Sequence, residues 1–243
     1  GTAKASMFFD RYPRFYETSD IQTSRVQMNL RHEAIIAQHR DAFAGARVID
    51  IASHDGRWSF AALEAGAADV LGIEGRESLV ADAYVNLAQY GADESRYRFI
   101  AGDVFTVMAG EALQADVVMC LGFLYHTTRY NELLHHIRST GARILIIDTE
   151  IVQGIEPFVS LRTENVERQG NAVLDPYAVD GRMLVGRPSL PATATMLEAY
   201  GYAIDRLSDW RAILRDNDTD RTVRVYAEGR RVTVRAVRRH TAP

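Results

Sequence analysis

The chain has 243 residues, 47% of them apolar and 25% charged, enough to bury one sizeable core or two small ones. With 28 basic and 32 acidic side chains its net charge is −4, which argues against the basic face of a broad nucleic-acid footprint. A single cysteine, Cys120, excludes an internal disulfide framework and points to a reducing, cytoplasmic setting. The opening GTAKASMFFDRYPRF lacks the apolar stretch of a secretion signal, and no apolar run approaches the ~18 residues of a membrane helix.

Residues 1–45 differ in pattern from the rest of the chain and read as an N-terminal helical lid on a domain at 46–243. They open on Phe8, Phe9, Tyr12, Phe15 and Tyr16. TSRVQMNLRHEAIIAQHRDAFAG then predicts a helix that buries Val26, Leu30, Ile35, Ile36 and Phe43 and stops at Gly45. From Arg47 strands and helices alternate. ARVIDIA predicts a buried strand, WSFAALEAG a helix ended by Gly66, and ADVLGIEG a second strand. SLVADAYVNLAQYG predicts a helix with Leu79, Val80, Ala83, Tyr84 and Leu87 on one face, ended by Gly91. YRFIAGD and ADVVMCLG are the third and fourth strands, RYNELLHHIRSTG a helix ended by Gly141, and ARILIIDTE the fifth strand. Residues 151–192 are long for a plain connection and mark an insertion that folds over the site. ATATMLEAYG predicts a last helix ended by Gly201, and YAIDRLS a strand. RTVRVYAEGRRVTVRAVRR predicts a hairpin around Glu228-Gly229, with alternating Arg and Val suited to an edge strand.

Near-continuous apolar strands separated by helices imply a parallel sheet covered on both faces, a doubly wound α/β fold in three layers. Ligands of such folds bind at the carboxyl ends of the strands, near the topological switch point. The first strand runs into a tight turn, Asp50-Ile51-Ala52-Ser53-His54-Asp55-Gly56. The second ends at Glu74, whose carboxylate can accept from both hydroxyls of a ribose. After the third, Gly102-Asp103-Val104 supplies a carboxylate that can accept from the exocyclic amine of adenine. Each acid alone reads as a strand-end cap or a surface acid; three after three successive strands point to a nucleoside site. The dinucleotide fingerprint G-x-G-x-x-G and the phosphate loop G-x-x-x-x-G-K-[ST] are both missing, which argues against a dehydrogenase and a nucleoside triphosphatase.

The series VIDIASHDG, GIEG, AGDVF and ADVVMCLGFLYH resembles the class I S-adenosylmethionine-dependent methyltransferases over roughly residues 46–150. The resemblance implies a Rossmann-like, mostly parallel seven-stranded sheet with S-adenosylmethionine as cofactor. It implies that Asp50 and Ser53 hold the methionine side of the loop and that Gly56 permits the turn. It assigns Glu74 to the ribose, Asp103 and Val104 to the adenine, and the Leu121 carbonyl to the cofactor's amine. The family's loop reads Asp-x-Gly-x-Gly-x-Gly, whereas Ala52 and His54 stand at two of those glycine positions. Glycine lets the backbone approach a ligand without a Cβ. His54 therefore either lines the methionine end of the cofactor or points away.

Methyl transfer from a sulfonium is an in-line displacement, so the enzyme mainly aligns the partners. A hydroxyl acceptor gains from a general base or a cation. His126, at the end of the fourth strand, is the base candidate, because an imidazole ordinarily titrates near neutrality; its plainer reading is a hydrogen-bonded histidine at a helix start. Asp148 and Glu150 end the fifth strand two residues apart, on one face. With His126 opposite they could hold Mg2+ or Mn2+; otherwise they bind substrate hydroxyls or cap the loop. Tyr12, Tyr16, Glu150 and Glu164 are candidate substrate contacts, the tyrosines by stacking on a sugar or base. Core aromatics of a docked helix are the alternative for the tyrosines.

Two further likenesses bear on the acceptor. The loop DIASHDGRWSFAAL and the chain size are similar to bacterial small-molecule methyltransferases, among them the sugar 1-O-methyltransferases of methylmannose polysaccharide synthesis. LGFLYHTTRYNELL, IIDTEIV and GRPSLPATATMLEAYGY are similar to bacterial enzymes that modify the tRNA wobble uridine. The expectation is O-methylation of a small hydroxyl acceptor, a sugar or glycoside, by a homodimer of the kind common among soluble enzymes. Methylation of a tRNA base is the alternative, and a non-catalytic binding module with an altered loop is the third reading.

Overall fold

A computed structural model describes residues 6–19, 24–173, 175–217 and 219–240. The N-terminal segment forms α1 (Arg14–Thr18), α2 (Arg25–Ile35) and α3 (Arg40–Phe43). The single helix expected here is interrupted after Ile35, where His39 Nδ1 lies 3.0 Å from the Ile35 carbonyl and satisfies a helix end. Leu30, Ile35, Ile36 and Phe43 are buried as expected, and Val26 is partly so.

The alternating elements are β1 (Arg47–Ile51), α4 (Arg57–Glu64), β2 (Asp69–Glu74), α5 (Glu77–Gln89), β3 (Tyr97–Ala101), α6 (Val104–Gly110), β4 (Val117–Leu121), α7 (Tyr130–Ser139) and β5 (Ile144–Glu150). The five strands are parallel, in the order β3-β2-β1-β4-β5. Every residue of β4 is buried, as a central strand covered on both faces requires. α4, α5 and the N-terminal aromatics pack on one face around Phe9, Phe15, Phe60 and Leu87. α6 and α7 pack on the other around Phe105, Leu133 and Ile137. The helices change face between β1 and β4, which opens a crevice at the carboxyl ends of these strands. α6 escapes the hydrophobic pattern because it is short; Asp103 starts it, its side chain accepting from the Thr106 amide at 2.9 Å.

Past β5 the chain makes a two-stranded antiparallel ribbon, β6 (Val159–Asn165) and β7 (Arg182–Pro188), inside the expected insertion. α8 (Leu190–Ala199) and β8 (Tyr202–Leu207) come next, then α9 (Trp210–Arg215), α10 (Arg224–Ala227) and β9 (Arg231–Arg238). The sheet completes as β3-β2-β1-β4-β5-β9-β8, with β9 antiparallel to both neighbours. This corrects two expectations. The stretch before Glu228-Gly229 is helical, so β9 pairs with β8 across α9 and α10 and no hairpin forms there. β9 is also an interior strand. Two of its arginines have acidic partners: Arg231 reaches the buried Asp148 and Arg235 pairs with Asp205 at 2.6 Å, while Val234 and Ala236 are buried against the α7 side. No helix among the described residues is long and apolar enough to cross a membrane.

Candidate functional site

The turn after β1 holds three residues in the left-handed region, Ala52 (φ 56°), His54 (φ 54°) and Gly56 (φ 82°). Gly56 is required twice over, since a Cβ there would also meet Ala83 and Leu87 at 3.0 Å. Ala52 and His54 hold the same kind of conformation at a cost of about 1–2 kcal/mol each. The backbone thus keeps the path that glycine would take, although the side chains differ. Ala52→Gly is accordingly expected to raise the urea midpoint, corresponding to roughly 0.5–1 kcal/mol of added stability once the extra freedom of the unfolded chain is counted. Ala65→Gly, at an ordinary φ of −81°, serves as the control that lowers it. A lowered midpoint for Ala52→Gly would refute the strain account.

Beside this turn lies a cavity open to solvent on one side. Ala52, His54, Arg57 and Trp58 wall it from the β1 side, Glu74 to Arg76 from the end of β2, and Gly102 to Phe105 from the end of β3. Leu121, Gly122, Phe123, Tyr125 and His126 wall it from the end of β4. Glu74 is buried, and its two oxygens accept from the backbone amides of His54 (2.8 Å) and Arg76 (3.0 Å). These bonds fix the carboxylate at the cavity wall while leaving lone pairs for a ligand. Asp103 uses Oδ2 to cap α6, and Oδ1 makes no hydrogen bond among the described residues. His54 does line the cavity, with Nδ1 3.4 Å from Asp55 Oδ1.

Asp50, Ser53 and Gly56 lie behind the turn and do not line the cavity. Asp50 Oδ2 accepts from the Ser59 hydroxyl at 2.7 Å; Asp50 Oδ1 and the Ser53 hydroxyl lack partners among the described residues. Burial pushes the Asp50 carboxyl up to about 7, against the opposing pull of Ser59 and Arg57.

At the other end of the cavity, His126 Nδ1 is 2.7 Å from Glu164 Oε2, an acid carried by β6. The same oxygen accepts from the Ala172 amide at 2.8 Å, and Oε1 accepts from Arg162 at 3.2 Å. Burial opposes the charge on Glu164, yet His126, the Ala172 amide and Arg162 hold its carboxyl below the usual range. Asp148 is fully buried and saturated: it accepts from Arg231 Nε (2.7 Å), Arg31 (3.2 Å), the Tyr226 hydroxyl (2.8 Å) and the Thr233 hydroxyl (2.6 Å). Glu150 pairs with Arg187 and lies 4.0 Å from Arg162. Two acids already committed to arginines do not suit a divalent cation, and the described residues contain no cluster of three His, Cys, Asp or Glu that could hold one. The expected metal pair is therefore replaced by ion pairs. Tyr12 and Tyr16 also depart from the expected substrate role. Tyr12 packs edge-on against Phe60 and Tyr90, and the Tyr16 hydroxyl donates to Asp10 at 2.7 Å; neither lines the cavity.

The fold recurs in known proteins. The chain superposes on the 1,6-didemethyltoxoflavin-N1-methyltransferase of Burkholderia thailandensis, solved with S-adenosylhomocysteine, with a TM-score of 0.60, 20% identity and coverage of 95% of this chain and 86% of that one. It superposes on the N-terminal domain of EvdMO1, solved in the presence of S-adenosylhomocysteine and D-fucose, with a TM-score of 0.58, 18% identity and coverage of 98% and 100%. The fold is that of the class I S-adenosylmethionine-dependent methyltransferases. In sequence, the chain is 26% identical over 226 residues to a tRNA U34 carboxymethyltransferase of Idiomarina loihiensis. That match spans 83% of this chain but 64% of the relative's length. No family model matches the chain.

On this methyltransferase fold, several cavity residues carry no signal in the linear sequence. Gln27 and Arg31 reach the wall from α2, four residues apart on one helix face, and Arg231 reaches it from β9. Gly170 to Val173 and Asp175 arrive from the insertion. Val173 packs so close to Gly75 that a Cβ there would sit 2.9 Å from it. The guanidinium of Arg76 donates to the carbonyls of Val166 and Arg168 at 3.3 Å, and Arg129 pairs with Asp175 at 3.2 Å. The insertion thus roofs the end of the cavity where Glu74 stands.

Proposed function

We propose that the chain is an S-adenosylmethionine-dependent methyltransferase that methylates a hydroxyl of a small acceptor, a sugar or glycoside. The observation that carries the reading is a cavity at the β1/β4 switch point with Glu74 and Asp103 on its wall. Both acids can accept hydrogen bonds, Glu74 from ribose hydroxyls and Asp103 Oδ1 from an adenine amine. The apolar side chains of Leu79, Val104 and Phe105 flank these acids and suit a purine face. Leu121 and His54 stand toward the side where the amino-acid tail of the cofactor would lie. The bound cofactor supplies an electrophilic methyl group on a sulfonium. The protein's share is to hold donor and acceptor in line, exclude water and receive the acceptor proton. His126 takes that proton, a role supported by its position on the cavity wall at the end of β4.

A neutral amine attacks through its own lone pair and needs no such base as strictly as an alcohol does, and this favours an oxygen acceptor over an amine. Transfer of a tritiated methyl group to sugar lipids and to bulk tRNA, each with and without EDTA, tests the acceptor. His126→Ala is expected to lower turnover about 100-fold or more while S-adenosylhomocysteine binds within threefold of wild type. Unchanged turnover would remove His126 from the mechanism. A second reading, modification of the tRNA wobble uridine, is favoured by the relative from Idiomarina loihiensis; it predicts label in tRNA from the tritiated methyl donor if a methyl is transferred, and only from a donor labelled in a carboxymethyl group if the chemistry is that relative's.

A further inference from the structure

We propose that Glu164 is a positioning residue: carried on the insertion, it fixes His126 in the tautomer that leaves Nε2 unprotonated toward the acceptor. The inference rests on the methyltransferase reading for its catalytic consequence, but its structural content stands without it. Three observations support it. The Glu164 carboxylate lies within 2.7 Å of Nδ1, a charge-assisted contact in a nearly closed setting, with both side chains at about a tenth exposure or less. A carboxylate accepts and does not donate, so the proton between the two belongs to Nδ1, and a neutral ring then carries its lone pair on Nε2. Glu164 is itself held, by the Ala172 amide and by Arg162, so it cannot swing away from the ring without breaking both bonds.

The groups that face this pair are Arg162 on β6, Tyr125 tilted against His126 with ring centroids 4.2 Å apart, and Arg231 on β9, whose guanidinium is 3.3 Å from the Tyr125 hydroxyl. Among the described residues none of them makes a hydrogen bond to Nδ1. Ala172, which anchors Glu164, also belongs to the cavity roof next to Val173 over Gly75. A single carboxylate oxygen therefore ties the roof over the donor end to the base at the acceptor end.

The test is nitrogen-15 NMR of protein labelled at its seven histidines, with His126 assigned by its loss in His126→Ala. The wild type should show His126 protonated at Nδ1 and bare at Nε2 at neutral pH; Glu164→Gln should show a mixture of tautomers. In turnover, Glu164→Gln should lose kcat by about 30–300-fold, the scale of a misdirected base, with KM for the acceptor and S-adenosylhomocysteine affinity within threefold. A wild-type ring protonated at Nε2, or a Glu164→Gln variant with wild-type tautomer and kcat, would overturn the proposal. Failure of S-adenosylhomocysteine to bind the wild type would instead sink the methyltransferase reading and leave the tautomer result standing. If Glu164→Gln unfolds, Arg162→Gln, which loosens the same carboxylate from one side, should still broaden or shift the His126 signals; an unaltered signal there would count against the proposal.

Discussion

Glu74→Ala is expected to weaken S-adenosylhomocysteine binding by roughly 10–150-fold, read by calorimetry. On the proposed function the substitution removes a charged acceptor for two ribose hydroxyls, and a hydrogen bond to a charged group is worth about 1.5–3 kcal/mol. It also releases the amides of His54 and Arg76, so part of the loss comes from a loosened turn after β1. Glu74→Gln separates the two contributions. It retains one acceptor oxygen for the backbone and loses the charge, so its affinity should fall between wild type and Glu74→Ala. Binding unchanged in both variants would show that the nucleoside does not sit at the end of β2. Asp103→Ala should be milder, because that group is more open and one of its oxygens is already used at the start of α6.

Asp148→Asn is expected to cost about 3–5 kcal/mol of folding stability, the largest effect of any single change proposed for this chain. Arg31 and Arg231 share this one carboxylate in a buried setting, and the isosteric amide leaves both guanidinium groups without a counter-charge. Adding Arg231→Met to Asp148→Asn should recover part of the loss, a non-additivity that a simple packing defect would not give. The same contacts set the acid dependence. Burial opposes the Asp148 charge, but Arg231, Arg31 and Thr233 overcome it and hold the carboxyl below its ordinary value. A group depressed in the folded state contributes stability above the unfolded pKa, about 3.9, and loses it as pH falls through the folded value. Urea unfolding between pH 6 and 2 should therefore show a steeper acid loss for wild type than for Asp148→Asn. Parallel curves would mean that Asp148 is not ionised in the native protein.

The five parallel strands and the helices α4, α5, α7 and α8 are legible in the sequence because each carries the hydrophobic period of its type and most end at a glycine. The elements that escape are those where tertiary partners, and not periodicity, decide. VRVYA reads as a strand by composition, yet Tyr226 stacks on Trp210 at 3.6 Å and donates to Asp148, which settles it as a helical turn. β6 has five of its seven residues exposed, so no buried face announces it. The acids at the cavity wall, Glu74 and Asp103, are legible because strand ends are fixed by the strands. Asp148 and Glu150 fall where the sequence places them but take different chemistry, since their partners Arg31, Arg231 and Arg187 come from three distant elements. Glu164 suggests a substrate contact on its location alone; its contact with His126 depends on a ribbon the sequence does not reveal. His54 is the opposite case. An unsuitable residue in a glycine position marks a backbone path that the protein keeps at a cost.

The insertion of β9 between β5 and β8 has a consequence for how the chain is made. A ribosome delivers β1 to β8 before β9, so β8 has no neighbour to pair with until the later strand arrives. Until then the β5 edge stands open, and Asp148 on it lacks Arg231 and Thr233. A nascent or truncated chain ending before Arg231 would present an apolar, unpaired strand edge, the surface through which β proteins aggregate. Late sheet closure thus leaves the aggregation-prone edge to be covered last, a hazard set by topology and independent of the chemistry in the cavity.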